Sequence, residues 1–512
     1  MKEKLAFGVD FGTTNSIAAA WGDDILKIAK EKAPIAFWDV SEGRPRRPHA
    51  SVVWYSAAPK ITVGNQARAR MQSLGGVMGN RFIRSIKRRL ADDQPIEVLG
   101  GQRAAAYEVA SEIFRHLKQH AEQAEVLRKR EMGDCVVTVP VTFSGPHRRA
   151  IRRAVERAGM KLTGFLHEPF AAVISHFYDP DRKLATLRDQ RVLVFDWGGG
   201  TLDVCIAQVS KDGSKIVELA HGGIEDRAGD DFDHRIMASV RASFLEQHPE
   251  ISDEELELQG DAQDRFWLDA EGAKIDLSST LKTNVTVASF FQKHGKIYDL
   301  QEPISRENFE ALIVQEIDAA LRCVERCLKD ARLTPGCIDH LLLVGGTSNI
   351  PMIRERLEAL FGHKVQVAHE PDAAIARGAA IVAAEGWKLF NALPVGVKLC
   401  DGTFFEVLKR DAPVDPTSSR RVVFYCTDWR VGSANLIFCR RGVAGDKDLV
   451  QMETVLQVPT KHEVDHEGDL DRIVADFTIT PDATLRCDAQ STTLGKIEHC
   501  EIHDIAFGLS LS

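Results

Sequence analysis

No stretch of this sequence approaches the ~18 consecutive apolar residues that a membrane-spanning helix needs, so a helical membrane span is not expected. The opening MKEKLAFGVD has too short an apolar run for a secretory signal and flows into a strand, so none is expected there. The ten cysteines include no C-x-x-C pair. Cys323 and Cys327 stand four apart on an expected helix, with no second pair to complete a metal site. Reduced, mostly buried thiols in a cytoplasmic protein are therefore expected. Positive charge is not in excess either. The net charge of −9 and a pI near 6.0 provide no global basic field for nucleic acid. Local basic clusters occur at Arg44 to Arg47, Arg81 to Arg89 and Arg148 to Arg153. The last two have helical spacing and are expected to be solvated helix faces.

Two hairpins organise what is present. Arg191 to Val204 reads RVLVFDWGGGTLDV: a buried apolar strand, Asp196, then Gly198, Gly199 and Gly200, then a returning strand opened by Thr201 and Asp203. Glycine lets backbone N–H groups approach a ligand and form an anion-binding nest. Carboxylates at the lips repel a bare phosphate, and Mg²⁺ between them corrects the sign. Near the N-terminus LAFGVDFGTTNSIAAAW repeats the plan with Asp10, Phe11, Gly12, Thr13 and Thr14. The repetition predicts a duplicated fold with phosphates held between its halves.

At 512 residues the chain should form more than one domain. Helical periodicity covers Gln102 to Leu127. CVVTVP is a strand, and a helix begins near Ser144 and ends at Gly159. LTGFLH is a strand, and Glu168–Pro169 opens the helix PFAAVISHFY. Residues 230–333 are mostly helical around a strand pair, with Ser305 capping a helix to about Leu333. HLLLVGGTSNIP is strand, glycine turn and a helix with Pro351 in its first turn. Alternating strands and helices predict α/β layers. From Leu393 onward the helical period vanishes, and short strand-like runs predict a β unit of plausible domain size.

The motifs VDFGTTNS, VVTVPVTF, FLHEPFAAVI, VFDWGGGTLDV, GDDFDHRI, AEGAK, VGGTSNIP and EPDAAIARGAA stand in one order. Together they resemble the actin-like ATPase superfamily and, in wording and spacing, its 70-kDa heat-shock (DnaK-type) chaperone branch. The resemblance implies an α/β actin-like nucleotide-binding ATPase domain of two duplicated lobes over residues 1–386. It further implies a linker at 387–393 and a β-sandwich-like peptide-binding domain over 394–512. It implies ATP or ADP with Mg²⁺, ATP hydrolysis coupled to binding of unfolded or extended peptide, and J-domain and nucleotide-exchange partners. Carried residue by residue, Asp10, Glu168, Asp196, Thr201 and Asp203 match catalytic positions. Asp10 and Asp196 hold the metal through water. Gly12, Thr13, Thr14, Gly198, Gly199, Gly200 and Thr201 match the phosphate turns, and Gly229 a further nucleotide turn. Glu271, Lys274 and Ser278 match adenosine contacts, at a spacing that sets them on one helix face. Gly345, Gly346 and Asp372 close the pocket.

Departures from the family pattern carry their own expectations. Arg68 is expected to stand where the family has a catalytic lysine, which predicts slow hydrolysis because a planar guanidinium replaces a compact ammonium. Ile275 and Asn349 stand where two arginines flank adenine, which predicts relaxed base selectivity. WKLFNAL lacks the linker's acid, and the chain stops at Ser512 where the family adds a helical lid, so a lidless member is expected. A second functional class stays open, a nucleotide-dependent scaffold or regulatory protein whose ATPase has decayed. A sugar kinase of the same superfamily is disfavoured by the β unit. His462-Glu463-Val464-Asp465-His466 spells the zinc-protease H-E-x-x-H. It lies between Pro459 and Gly468 in a β-rich region, so an acidic solvated loop without zinc is expected.

Overall fold

The computed structural model describes residues 3–22, 34–39, 47–56, 61–74, 80–127, 130–179, 181, 183–256, 261–427, 429–441, 449–461, 470–503 and 505–511. Its described helices are α1 (Asn65–Leu74), α2 (Ala106–Gln123), α3 (Gly145–Arg157), α4 (Glu168–Phe177), α5 (Gly229–Gln247), α6 (Asp261–Leu277), α7 (Arg306–Asp330), α8 (Pro351–Phe361) and α9 (Pro371–Glu385). Their ends follow the sequence chemistry. Pro146, Pro169, Pro351 and Pro371 sit in first turns, where no N–H is needed. The Ser305 hydroxyl accepts the Asn308 N–H and caps α7. None of the described helices is long and apolar enough to cross a membrane.

Two sheets repeat one plan, which is the duplication that the paired hairpins predict. In the first, Glu3–Phe11 forms an antiparallel hairpin with Asn15–Ala20 and lies parallel to Arg130–Val139, itself parallel to Lys161–His167. In the second, Arg191–Trp197 forms a hairpin with Thr201–Val209 and lies parallel to His340–Val344, itself parallel to Val365–Val367. Strands buried on both faces read as continuous apolar runs, as in VLVF of Val192 to Phe195 and LLLV of Leu341 to Val344. Helices α4 and α9 pack between the sheets. Phe170, Val173, Ala376 and Ile381 share one core there with Ile17, Val194 and Leu342.

The C-terminal region is a sandwich. One sheet has the order Phe404–Leu408, Val395–Lys398, Ser433–Arg441, Leu449–Pro459. The other runs Ser419–Tyr425, Arg472–Ile479, Leu485–Ser491, Ile497–Ile502. Val395, Phe438, Leu456, Phe477 and Leu485 fill the space between them. Strict alternation of buried and less buried residues along Arg472–Ile479 is the period-2 signature of a sheet with one covered face.

Trp387 to Leu393, the segment expected as the linker, includes a paired strand. Lys388–Asn391 is a strand at the edge of the second sheet. It pairs with the C-terminal strand Phe507–Ser510, which in turn pairs with Lys215–Glu225. Asn391 is fully buried, and its amide donates to the carbonyls of Leu393 (2.7 Å) and Lys409 (2.8 Å). Apolar Trp387, Phe390 and Leu393 bury in place of the missing acid, so the segment is packed structure. Helix α3 then joins the sandwich to the first lobe. Arg149 makes a two-pronged bond to Glu501 (3.0 and 3.1 Å), Arg152 donates to Asp482 (2.7 Å), and Arg148 donates to Ala483 O (3.1 Å). The Arg148 to Arg153 cluster is helical as expected, but three of its arginines hold the sandwich instead of facing solvent.

Candidate active site

The two glycine hairpins meet tip to tip. A Cβ added at Gly199 would lie 2.0 Å from Thr14 Oγ1, and one at Gly200 would lie 2.2 Å from Thr13 Oγ1. Only a residue without a side chain permits this approach. The second hairpin is held from behind. Gly229 N–H donates to Gly198 O (3.1 Å), Asp230 N–H to Gly199 O (2.8 Å), and Thr347 Oγ1 to Gly198 O (2.8 Å). Asp230 also accepts from Thr14 Oγ1 (3.2 Å) and Ser85 Oγ (2.5 Å), so it ties the lobes together. Gly345, at φ 79°, lies against Asp196 and the Trp197 carbonyl.

Below the tips, Asp10, Glu168, Asp196 and Asp203 converge. Asp196 and Asp203 are cross-strand neighbours, and Glu168 begins α4. Burial and then the Glu168 charge raise Asp10 and Asp203 to about 7. The same causes push Asp196 well above the usual carboxylate range. Asp203 Oδ1 accepts the Val141 N–H at 2.9 Å. Asp196 Oδ2 is buried, and no donor reaches it among the described residues. Four clustered carboxylates with an unsatisfied oxygen are a donor set suited to a hard divalent cation. Asp372, in the first turn of α9, adds a smaller field at Asp10.

The cation inside this cluster is Lys87, and that corrects the expectation for Arg68. Lys87 Nζ donates to Glu168 Oε1 at 2.7 Å, with both side chains buried. Burial alone would lower its pKa, but Glu168 and Asp10 outweigh burial and hold it above the ordinary lysine value. Arg68, on α1, instead forms an ion pair with Glu271 on α6. The guanidinium is drawn to α6 by this pair, and it is not among the charges that act on the four acids. The Arg81 to Arg89 run is likewise not a solvated helix face. Ser85 turns left-handed (φ 52°), Ile86–Arg89 is a single 3-10 turn, and Ile86 and Lys87 point inward. The one available signal was a lone lysine beside a buried isoleucine in a run of arginines.

The remaining predicted residues lie around the same cleft. Lys274 Nζ donates to Gly229 O (2.8 Å) and forms an ion pair with Asp233 Oδ1 (2.6 Å), while Ser278 lies in the turn just past the end of α6 with its hydroxyl directed to Lys274 O (3.5 Å). Gly346 opens the turn opposite, and nothing lies within 4 Å of its added Cβ. Ile275 is 59% exposed, and the Asn349 amide turns back onto Gly346 O (3.1 Å). Two guanidinium groups lie over the Trp267 ring, Arg84 at 4.0 Å and Arg68 at 5.9 Å from its centre. Asp230, Asp233 and Thr347 lie within the motifs GDDFDHRI and VGGTSNIP, yet were not singled out, because their role is to hold neighbouring backbone and side chains across the cleft. The His462 to His466 segment lies outside the described residues.

The family model for Hsp70 protein matches residues 6–386. The chain is similar to the chaperone protein DnaK of Thermosipho melanesiensis, 28% identical over 510 residues that cover 97% of this chain and 79% of that protein. The chaperone protein DnaK of Thermotoga neapolitana is 30% identical over 435 residues, covering 82% and 68% respectively.

Proposed function

The chain belongs to the Hsp70 protein family, and we propose that it works as an ATP-driven chaperone through the cleft between its two hairpins. The observation that carries the site assignment is the interlock of Thr13 and Thr14 with Gly199 and Gly200 above four buried acids and Lys87. Phosphoryl transfer asks little covalent chemistry of a protein. Positioned charge and dipoles suffice.

Backbone N–H groups of Gly12 to Thr14 and Gly198 to Thr201 would cradle the phosphates. Asp10 and Asp196 would hold Mg²⁺ through water, and the ion supplies the positive charge that lets a polyphosphate sit among acids. The Lys87 ammonium, fixed by Glu168, faces the same cluster and stabilises negative charge developing on the transferred phosphoryl group. Glu168 and Asp203 would orient the attacking water. Glu271, Lys274 and Ser278 would line the nucleoside side, with Gly345 and Gly346 opposite and Asp372 at the cleft's α9 edge.

Lys87 supplies a compact ammonium beside the acids, so the guanidinium of Arg68 does not require slow turnover, and a decayed ATPase scaffold is correspondingly disfavoured. The sandwich exposes Val423, Tyr425, Val431 and Val455, which suits extended apolar peptide as client. J-domain and nucleotide-exchange proteins are the partners to seek. Among the described residues no disulfide joins any two cysteines, which supports a reducing compartment such as the cytoplasm. Single-turnover ATP hydrolysis together with refolding of a denatured reporter tests the proposal. ATP-dependent recovery lost in Lys87→Ala supports it, and recovery independent of ATP rejects it.

A further inference from the structure

A second cluster of metal-ligating groups lies in the first lobe, apart from the acids of the cleft. His49 opens the short strand His49–Ala50, which pairs with Asn15–Ala20. Asp39 follows the strand Ile35–Phe37 and is bridged to Arg47. His116 lies on α2. His49 Nδ1 is 3.0 Å from His116 Nε2 and 3.6 Å from Asp39 Oδ2, and the three ligand atoms all lie within 4.8 Å of one another. His49 is fully buried and Asp39 is 5% exposed.

The hydrogen bonds around the cluster fix the tautomer. His49 Nε2 lies 3.0 Å from the Phe37 carbonyl, which can only accept. Nε2 therefore carries the proton, and the Nδ1 lone pair points at His116 and Asp39. With Nδ1 as acceptor, His116 Nε2 donates to it at 3.0 Å, and Asp39 Oδ2 takes the Asn65 N–H at 3.4 Å. Loss of the His116 proton to solvent frees both lone pairs for a cation shared with Asp39. Donation of the other ring N–H to a backbone carbonyl is also the usual support of a metal-bound histidine. His120, one turn further along α2, stacks edge-on against His49 at 4.6 Å between ring centres and donates to Trp38 O at 2.8 Å. It thereby braces the backbone next to Asp39.

Gly64 keeps one side of the cluster clear. A Cβ there would lie 2.7 Å from His116 Nε2 and 3.4 Å from Asp39 Oδ2. Ligand atoms about 2.0–2.1 Å from a tetrahedral zinc are about 3.3 Å apart, between the two separations measured at His49 Nδ1. Two imidazoles and one carboxylate select zinc over Mg²⁺ or Ca²⁺, which prefer all-oxygen sites.

We propose that Asp39, His49 and His116 form a zinc site that clasps the edge of the first sheet to α2. Its place in the fold gives it a structural consequence. Two residues beyond His49, Ser51 donates its N–H to Thr14 O and its hydroxyl to Gly12 O, both at 2.8 Å. The bound ion thus stiffens the chain that supports the N-terminal hairpin.

The test uses the purified full chain, stripped with a chelator. It is titrated with zinc by calorimetry and with cobalt(II) by visible absorption. One equivalent of each binds, and cobalt shows the intense visible bands of a tetrahedral site. His116→Ala, which removes the least buried of the three ligands, and the isosteric Asp39→Asn each weaken zinc binding at least ~100-fold with unchanged far-UV circular dichroism. His462→Ala, in the separate H-E-x-x-H segment, leaves it unchanged. The proposal is overturned if the unaltered chain takes up no equivalent of zinc. It is equally overturned if both ligand variants bind as tightly as the parent, or if the loss follows His462→Ala instead.

Discussion

Lys87 Nζ donates to Glu168 Oε1 across 2.7 Å in the buried floor of the cleft, whereas Arg68 is paired with Glu271 on α6. The two cations therefore separate in kinetics. Lys87→Ala should lower single-turnover hydrolysis by ~100–1,000-fold, the usual cost of removing a preorganised charge from a reacting centre, with nucleotide still bound. Arg68→Ala should alter nucleotide affinity and leave the chemical step within about tenfold of the parent. Equal losses in the hydrolysis rate of both variants would return Arg68 to the catalytic role.

The hairpin tips offer a steric test. A methyl at Gly199 would stand 2.0 Å from Thr14 Oγ1, whereas one at Gly198 would meet nothing closer than Thr201 O at 3.8 Å. Gly199→Ala should part the lobes and weaken ATP binding by tenfold or more, with Gly198→Ala much milder. Calorimetric titration checks the pair. Similar affinities in the two variants would contradict the interlock.

These tests also show where the sequence was legible. Both hairpins and the duplicated sheets follow from glycine placement, and a C-terminal β unit follows from the change of hydrophobic period, which are local signals. That the unit is a sandwich came from the family resemblance. Lys87 was hidden because its inward turn depends on Ser85 at φ 52°, which nothing in RSIKRR announces. Arg68 sits on a helix following a glycine turn, as expected, but a partner 203 positions away on α6 decides where its guanidinium goes. The Asp39–His49–His116 cluster joins residues scattered over three elements with no fixed spacing. The strand Lys388–Asn391 within the expected linker was not foreseen, because its pairing partner Phe507–Ser510 lies more than a hundred positions later.

Base selectivity should be relaxed. Ile275 offers an exposed apolar surface, and Asn349 is folded back on Gly346 O, so neither supplies a planar cation against a purine. GTP should compete with ATP within about tenfold, and Ile275→Arg should restore ATP preference by adding a stacking guanidinium. Competition against a fluorescent ATP analogue measures both. A strong preference for ATP in the unaltered chain would refute the expectation.

Glu218 provides a pH prediction. Its carboxylate is buried between His221 and His167. Burial would raise its pKa, but hydrogen bonds and charge from the two imidazoles overcome burial and hold it well below the usual range. A depressed folded-state pKa gives stability that is fully present above the unfolded value, near 4.3, and is lost as pH falls through the folded one. Glu218→Gln should lower the thermal midpoint at pH 7, at a cost of ~2–4 kcal/mol for a buried, partnered carboxylate. The gap from the parent should then close toward pH 3. A gap that stays constant with pH would assign the loss to shape instead of charge.

The last prediction concerns the strand that joins the sandwich to the ATPase lobes. Phe507–Ser510 lies between Lys215–Glu225 and Lys388–Asn391, so the segment leading into the sandwich is held to the second lobe by the chain that leaves it. Gly508 sits beneath the Phe390 ring, where an added Cβ would come within 2.2 Å of Cζ. Gly508→Val should expel Phe390 and loosen the pairing, because the ring has no room to yield between the strand and its buried neighbours. Amide exchange across Lys388–Asn391 should then rise by tenfold or more, and Trp387, 4% exposed, should show a red-shifted emission as water reaches it. Leu494→Ala, in the exposed turn between Leu485–Ser491 and Ile497–Ile502, controls for general loosening of that unit. If Gly508→Val leaves exchange at Lys388–Asn391 unchanged, the C-terminal strand does not hold the segment in place. If Leu494→Ala raises it equally, the effect belongs to the sandwich as a whole and not to the Gly508–Phe390 contact.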